Sequence, residues 1–170
     1  MRNLLLPLSW LYGAAVWLRN CCYDAGFLHV AHAGVPVVSV GNLSAGGTGK
    51  SPIVGYIVNY YLSQHKKVAI VSRGYKRATK GTFIVSDGIR CFGSAAEAGD
   101  EPLLLARNHP GATVVVDEQR VRGVRAALEC SHADVVILDD AFQHRAIARD
   151  LDLLVLDATV PLATMRLLPA

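Results

Sequence analysis

Cysteine is scarce and poorly spaced in this chain: Cys21, Cys22, Cys91 and Cys130 include no C-x-x-C pair, and adjacent Cys21 and Cys22 are badly placed to bridge each other. That argues against a disulfide framework and for reduced thiols in a cytosolic setting. No cluster of His, Cys and carboxylates has the spacing of a zinc site, and His29, His32, His65, His109 and His132 have no motif around them, which makes them ordinary loop or surface histidines. No nucleophile motif suggests a Ser/His/Asp arrangement. Charged residues are only 18% of the chain, aromatics 7%, and the net charge is +3. Without a Lys/Arg run interleaved with aromatics nothing implies nucleic acid, while an anionic substrate is permitted. Internal repeats, low-complexity segments and disordered linkers are absent too.

What the chain has is apolar residues, 52% of 170, enough for one domain or slightly more with a sizeable core. Much of the excess lies at the N-terminus. Leu4 to Leu18 is apolar, contains Trp10, Tyr12 and Trp17, is broken by Pro7 and Gly13, and is flanked by Arg2 and Arg19. At about fifteen residues it is short of the roughly 20 that a spanning helix needs. Flanking arginines and aromatics suit a helix lying in a membrane interface. A buried or partner-docking helix is the competing reading, and a secretory leader ending near Ala31-His32-Ala33 a weaker one.

Downstream, strand and helix signals alternate, which predicts an α/β fold with a mostly parallel sheet flanked by helices. Strands are expected at Val35–Val40, Val68–Val71, Ala112–Val116, Ala133–Leu138 and Asp150–Asp157, and helices at Lys50–Gln64 and about Gln119–Glu129. Thr82–Val85 and Ile89–Phe92, joined by Ser86-Asp87-Gly88, read as a short β-hairpin. A further helix starts near Asp100, which can cap it, with Pro102 in its first turn.

Between the first strand and helix lies Ser44-Ala45-Gly46-Gly47-Thr48-Gly49-Lys50-Ser51. Strand, glycine loop and helix in that order make a phosphate cradle, because loop N–H groups point inward at an anion and the helix dipole adds positive charge. Gly46, Gly47 and Gly49 let the backbone close on the phosphates. Lys50 would reach the β/γ oxygens and Ser51 would ligand Mg²⁺. The common pattern has glycine where Ser44 stands.

Val135-Val136-Ile137-Leu138 followed by Asp139-Asp140 has the form of a strand delivering a carboxylate to the edge where open α/β sheets bind ligands. Such an aspartate can hold Mg²⁺ beside the phosphates. Gly99-Asp100-Glu101-Pro102 is a second acidic site, at a helix start.

Five segments occur in order: V-G-N-L-S-A-G-G-T-G-K-S-P at Val40–Pro52, S-R-G-Y at Ser72–Tyr75, G-D-E-P at Gly99–Pro102, D-D-A-F-Q-H-R at Asp139–Arg145 and R-D-L at Arg149–Leu151. Together they resemble tetraacyldisaccharide 4′-kinase, the lipid A 4′-kinase family of Gram-negative bacteria, over essentially the whole chain. The resemblance implies ATP-dependent phosphorylation of the 4′-hydroxyl of a tetraacyldisaccharide 1-phosphate, with Mg²⁺, by a peripheral protein on the cytoplasmic face of the inner membrane. No partner protein is implied.

Carried over by position, Ser44 to Ser51 would hold ATP, with Thr48 and Ala45 in the cradle beside the glycines. Asp100 matches the family's proposed general base, Asp139 and Asp140 its metal-side acidic pair, Gln143 and His144 polar residues beside it, and Glu101 a second acid near the base. Lys50, Asp100 and Asp140 are thus the candidate catalytic groups, and Ser51, Asp139 and Asp140 the metal ligands. Arg73 and Arg120 fall where the family carries arginines near the site, although surface exposure is the commoner fate of either.

The implied organisation is an N-terminal helix unit, residues 1–33, and a P-loop kinase core, residues 34–170. The family continues into a C-terminal domain, so the chain alone is expected to bind nucleotide at best. The family also usually has glycine where Ala141 stands, so that turn must accept a Cβ. Two rivals stay open. A partitioning-type ATPase uses a lysine where this chain has Ala45, which argues against that class; a non-catalytic nucleotide-binding module at the membrane is the other.

Overall fold

The computed structural model describes residues 6–42 and 49–159. Helix α1 (Leu6–Asp24) and the described residues from Asp157 belong to one compact unit, and Ala31–Leu156 form the other. Helix α1 is longer than the apolar segment suggests. Pro7 falls in its first turn, where a missing N–H costs nothing, and Gly13 does not interrupt it. Among the described residues no helix is long and apolar enough to cross a membrane.

The second unit is a six-stranded sheet with the order β3-β4-β2-β5-β1-β6. Its strands are β1 (Val37–Asn42), β2 (Val68–Ser72), β3 (Phe83–Asp87), β4 (Ala112–Val116), β5 (Val135–Asp139) and β6 (Leu151–Val155); α2 (Lys50–Ser63), α3 (Ala95–Ala98), α4 (Asp100–Asn108) and α5 (Arg120–Ser131) connect them. Every ladder is parallel except β3 with β4. The mostly parallel α/β expectation therefore holds.

Strand side chains alternate between two apolar layers, as the twofold strand period requires. Val38, Val40, Val68, Ile70, Val114 and Ile137 pack with Val54 and Val58 of α2 and Leu103 and Ala106 of α4. Val37, Ala69, Val71, Val115, Val136 and Leu138 pack with Val124 and Ala127 of α5. The central strands β2, β4 and β5 are buried on both faces, which is why they read as unbroken Val/Ile/Leu runs.

Two local expectations change. The hairpin turns later than expected: β3 runs on through Ser86 and Asp87, paired with β4. On its other edge the second arm is short, with the Ser86–Cys91 bridge and bonds from Phe92 N to the Val85 carbonyl at 2.8 Å and from Asp87 N to the Arg90 carbonyl at 3.3 Å. Asp100 does not cap α4 with its side chain. The cap position is Gly99, at φ 92° and ψ 149°, and Asp100 is the first helical residue, so its carboxylate stays exposed at the helix start.

Candidate phosphate and acceptor site

The C-terminal ends of β1, β2 and β5 converge with the starts of α2 and α4, the crevice where open α/β sheets place ligands. Val40 of β1 is in register with Asp139 of β5, so the end of β1 lies beside the acidic pair. Gly49, in the left-handed region at φ 75°, starts α2. Lys50 follows, and its Nζ donates to Asn42 Oδ1 at 3.0 Å and pairs with Asp140 Oδ1 at 2.8 Å. Its side chain is 15% exposed against 60% for that of Asp140, so the ammonium is held at the crevice while its partner faces out. Ser51 Oγ donates to Glu101 Oε1 at 2.6 Å, joining the first turns of α2 and α4.

Asp139 is buried and accepts a hydrogen bond from Ser72 Oγ at 3.0 Å. Burial, followed by the negative charges of Glu101 and Asp140, pushes its carboxyl up to about 6, against the opposing Ser72 bond and Arg120 charge. Asp140 adopts φ 52°, a left-handed conformation that aspartate tolerates better than most residues. Ala141, buried behind it, keeps a negative φ, so the Cβ where the family commonly has glycine brings no strain.

Arg120 overturns the surface expectation. It is 3% exposed, and its guanidinium donates to the carbonyl oxygens of Asp117 at 2.9 Å, Asp139 at 3.1 Å and Asp140 at 3.4 Å. Burial lowers its pKa to about 10, opposed by the carboxylates of Asp139 and Asp140, with the charge of Arg73 adding to the lowering. Arg120 therefore grips the backbone of the acidic turn from behind. Arg149 grips the other side, donating to the carbonyls of Ala141 at 3.3 Å and Phe142 at 2.9 Å, while Asp150 accepts from Val37 N at 2.7 Å. That is what the R-D-L segment does: it ties the turn after β5 to the sheet.

Of the predicted residues, the structure brings together Lys50, Ser51, Glu101, Asp139, Asp140 and Arg120. Asp100 and Arg73 are exposed at the same end of the sheet, and Gln143 and His144 lie in the turn after Asp140. Ser44, Ala45, Gly46, Gly47 and Thr48 lie outside the described residues. Among those described, no three His, Cys or carboxylate groups converge as a ready-made metal cage. The Ser51 hydroxyl and the neighbouring carboxylates nonetheless have the oxygen chemistry that suits Mg²⁺, which keeps several waters and takes further ligands from phosphate.

A family model described as tetraacyldisaccharide-1-P 4′-kinase matches residues 1–170. The chain belongs to that family. It is 48% identical to the tetraacyldisaccharide 4′-kinase of Chlorobium luteolum over 98% of this chain and 48% of that one, and 50% identical to its counterpart from Chlorobaculum tepidum over 98% and 49%. Among solved structures it is similar to the crystal structure of an "apo" form LpxK from Aquifex aeolicus in complex with ATP, with a TM-score of 0.90 and 48% identity over 99% of this chain and 52% of that one. The chain spans about half the length of the curated relatives it matches.

Three residues of this family member escaped the sequence reading. Asn42 and Ser72 are the last residues of β1 and β2, and their place could have been found from the strand ends alone. His109 could not. Expected as an ordinary loop or surface histidine, it is instead buried, its ring 2.9 Å from Asn59 Oδ1, in space that Gly55 leaves open on α2.

Proposed function

We propose that the protein to which this chain belongs transfers the γ-phosphoryl group of ATP to the 4′-hydroxyl of a tetraacyldisaccharide 1-phosphate in lipid A biosynthesis. The observation that carries this reading is the pairing of Lys50 with Asn42 and Asp140 directly after the glycine loop, in a chain matched over its whole length by the kinase family. Residues 44–51 would cradle the nucleotide phosphates, with the N–H groups of α2 and the Lys50 ammonium balancing their charge. Ser51, Asp139 and Asp140 would hold Mg²⁺, which when bound neutralises charge on the phosphates. Arg120 keeps the two aspartates in place through their backbone. Asp100, exposed at the start of α4, accepts the proton of the attacking hydroxyl, and Glu101 orients Ser51.

Residues 1–33 form the membrane-facing part and residues 34–170 the kinase core in this reading. Trp10, Leu11, Trp17 and Leu18 are exposed on α1, which supports peripheral attachment at the cytoplasmic face of the inner membrane, where the lipid acceptor lies. The test is ATP consumption by the full-length gene product with and without a tetraacyldisaccharide 1-phosphate. Acceptor-dependent 4′-phosphate formation, abolished by Asp100→Ala, is expected. Hydrolysis indifferent to acceptor would instead identify an ATPase, and none at all a nucleotide-binding module.

A further inference from the structure

Arg77 lies outside the five motif segments, yet its side chain is 2% exposed and sits at the junction of three segments. One terminal nitrogen donates to Thr79 Oγ1 at 3.3 Å and to the Val116 carbonyl at the end of β4 at 3.4 Å. The other donates to the Gly81 carbonyl and pairs with Glu118 Oε1 at 2.7 Å. The second Glu118 oxygen accepts from Gly81 N at 3.0 Å. Loop 73–81 is thereby anchored on the sheet at both arms, and lysine, with one ammonium, could not reproduce that fork.

The anchored loop bears directly on the corner before α4. Thr79 Oγ1 donates to the Glu97 carbonyl at 2.5 Å and Ala78 N to the Ala96 carbonyl at 2.7 Å, fixing α3. Gly74, at φ 68°, packs so closely that an added Cβ would sit 2.5 Å from Arg77 Cδ and 3.0 Å from the Ala98 carbonyl. Gly99 in turn lies against Gly74 and the Tyr75 carbonyl, where its own Cβ would meet atoms at 3.4 Å. The next residue is Asp100. Two glycines in left-handed backbone thus meet face to face, and the helix bearing Asp100 and Glu101 starts from that contact.

We propose that Arg77 is a positioning residue for phosphoryl transfer: through Gly74, Thr79 and Gly99 it fixes the place from which the start of α4 presents Asp100 to the acceptor hydroxyl. The proposal rests on the reading of Asp100 as the base. It makes Arg77 act first on the acceptor side, the nucleotide side being reached only through the Glu101–Ser51 hydrogen bond.

A double-mutant cycle in the full-length protein tests it, with kcat, the KM for ATP and the melting temperature measured for Arg77→Lys, Asp100→Asn and the pair. Arg77→Lys should lower kcat by about 10- to 100-fold, the penalty of a small misplacement of a reacting group, with the KM for ATP changed less than about twofold. Added to Asp100→Asn it should cost almost nothing more, because both changes strike one function. Full additivity, or an unchanged kcat, overturns the positioning role and leaves the base reading intact. Wild-type kcat in Asp100→Asn overturns the base reading and this proposal with it. If Arg77→Lys fails to fold, Thr79→Val carries the same cycle: it removes one hydroxyl and should lower kcat several-fold without added cost on Asp100→Asn, whereas an unchanged kcat overturns the proposal.

Discussion

Lys50 joins the end of β1 to the acidic turn through Asn42 and Asp140, so its replacement has a direction that can be stated in advance. In Lys50→Ala the Asp140 carboxylate loses its ion-pair partner, and phosphate binding loses a charge-assisted donor. Transfer should fall by about 100-fold or more, with weaker nucleotide binding visible by titration calorimetry. Asp139 carries a different prediction. Its carboxyl is pushed up to about 6 in the fold against about 3.9 in an unfolded chain. The native state therefore holds the proton more tightly, and what this group contributes to stability is complete below pH 4 and declines as pH rises to 6. At pH 7.5, without divalent metal, Asp139→Asn should keep the Ser72 contact, gain on the order of 1–3 kcal/mol of stability and lose transfer. Denaturant melts of both proteins check the gain. A variant less stable than wild type would contradict the burial of a charged carboxylate at that position.

At the scale of elements, α2 and α4 are coupled through a residue with no sequence signal. Burial holds the His109 pKa below its usual value, so the native state resists protonation and the stability it contributes is present above pH 6.5 and lost as pH falls. Wild type should consequently lose more stability than His109→Gln between pH 7.5 and 5, read from melts at the two values. The contrast with the strands is instructive. Val68–Val71, Ala112–Val116 and Val135–Leu138 were legible because continuous apolar runs between turn residues have few structural outcomes. His109 was not, because its burial depends on Gly55 far away in the chain leaving room for the ring.

The same distinction runs through the site. Lys50 at the start of α2 and the acidic pair at the end of β5 could be placed locally, from the helix and strand signals beside them. Arg120 and Arg77 could not: each is defined by the carbonyl groups it grips, and carbonyls carry no residue identity. The length of β3 was not local either, as Ser86 and Asp87 are held in the strand by β4, far away in the chain.

For the whole molecule, the proposed reaction calls for a lipid acceptor, which makes the surface of α1 relevant. Helix α1 belongs to the other compact unit, and its sequence spacing is informative. Trp10 and Trp17, seven residues apart, lie on one face, with Leu11 and Leu18 beside them, and all four are exposed. Insertion of that face into a membrane interface would cover apolar area that water otherwise touches. Trp10→Ala with Trp17→Ala removes most of it without changing charge, so attachment should weaken by roughly 10- to 100-fold, the equivalent of partial burial of two large side chains. Cosedimentation with vesicles containing anionic lipid reads that change, and nucleotide affinity, which depends on the other unit, should be unaltered. Transfer to a detergent-dispersed acceptor should then survive while transfer to acceptor embedded in vesicles falls. Equal losses in both formats would mean that the tryptophans support the fold or the site itself, and unchanged sedimentation would remove α1 from the membrane altogether.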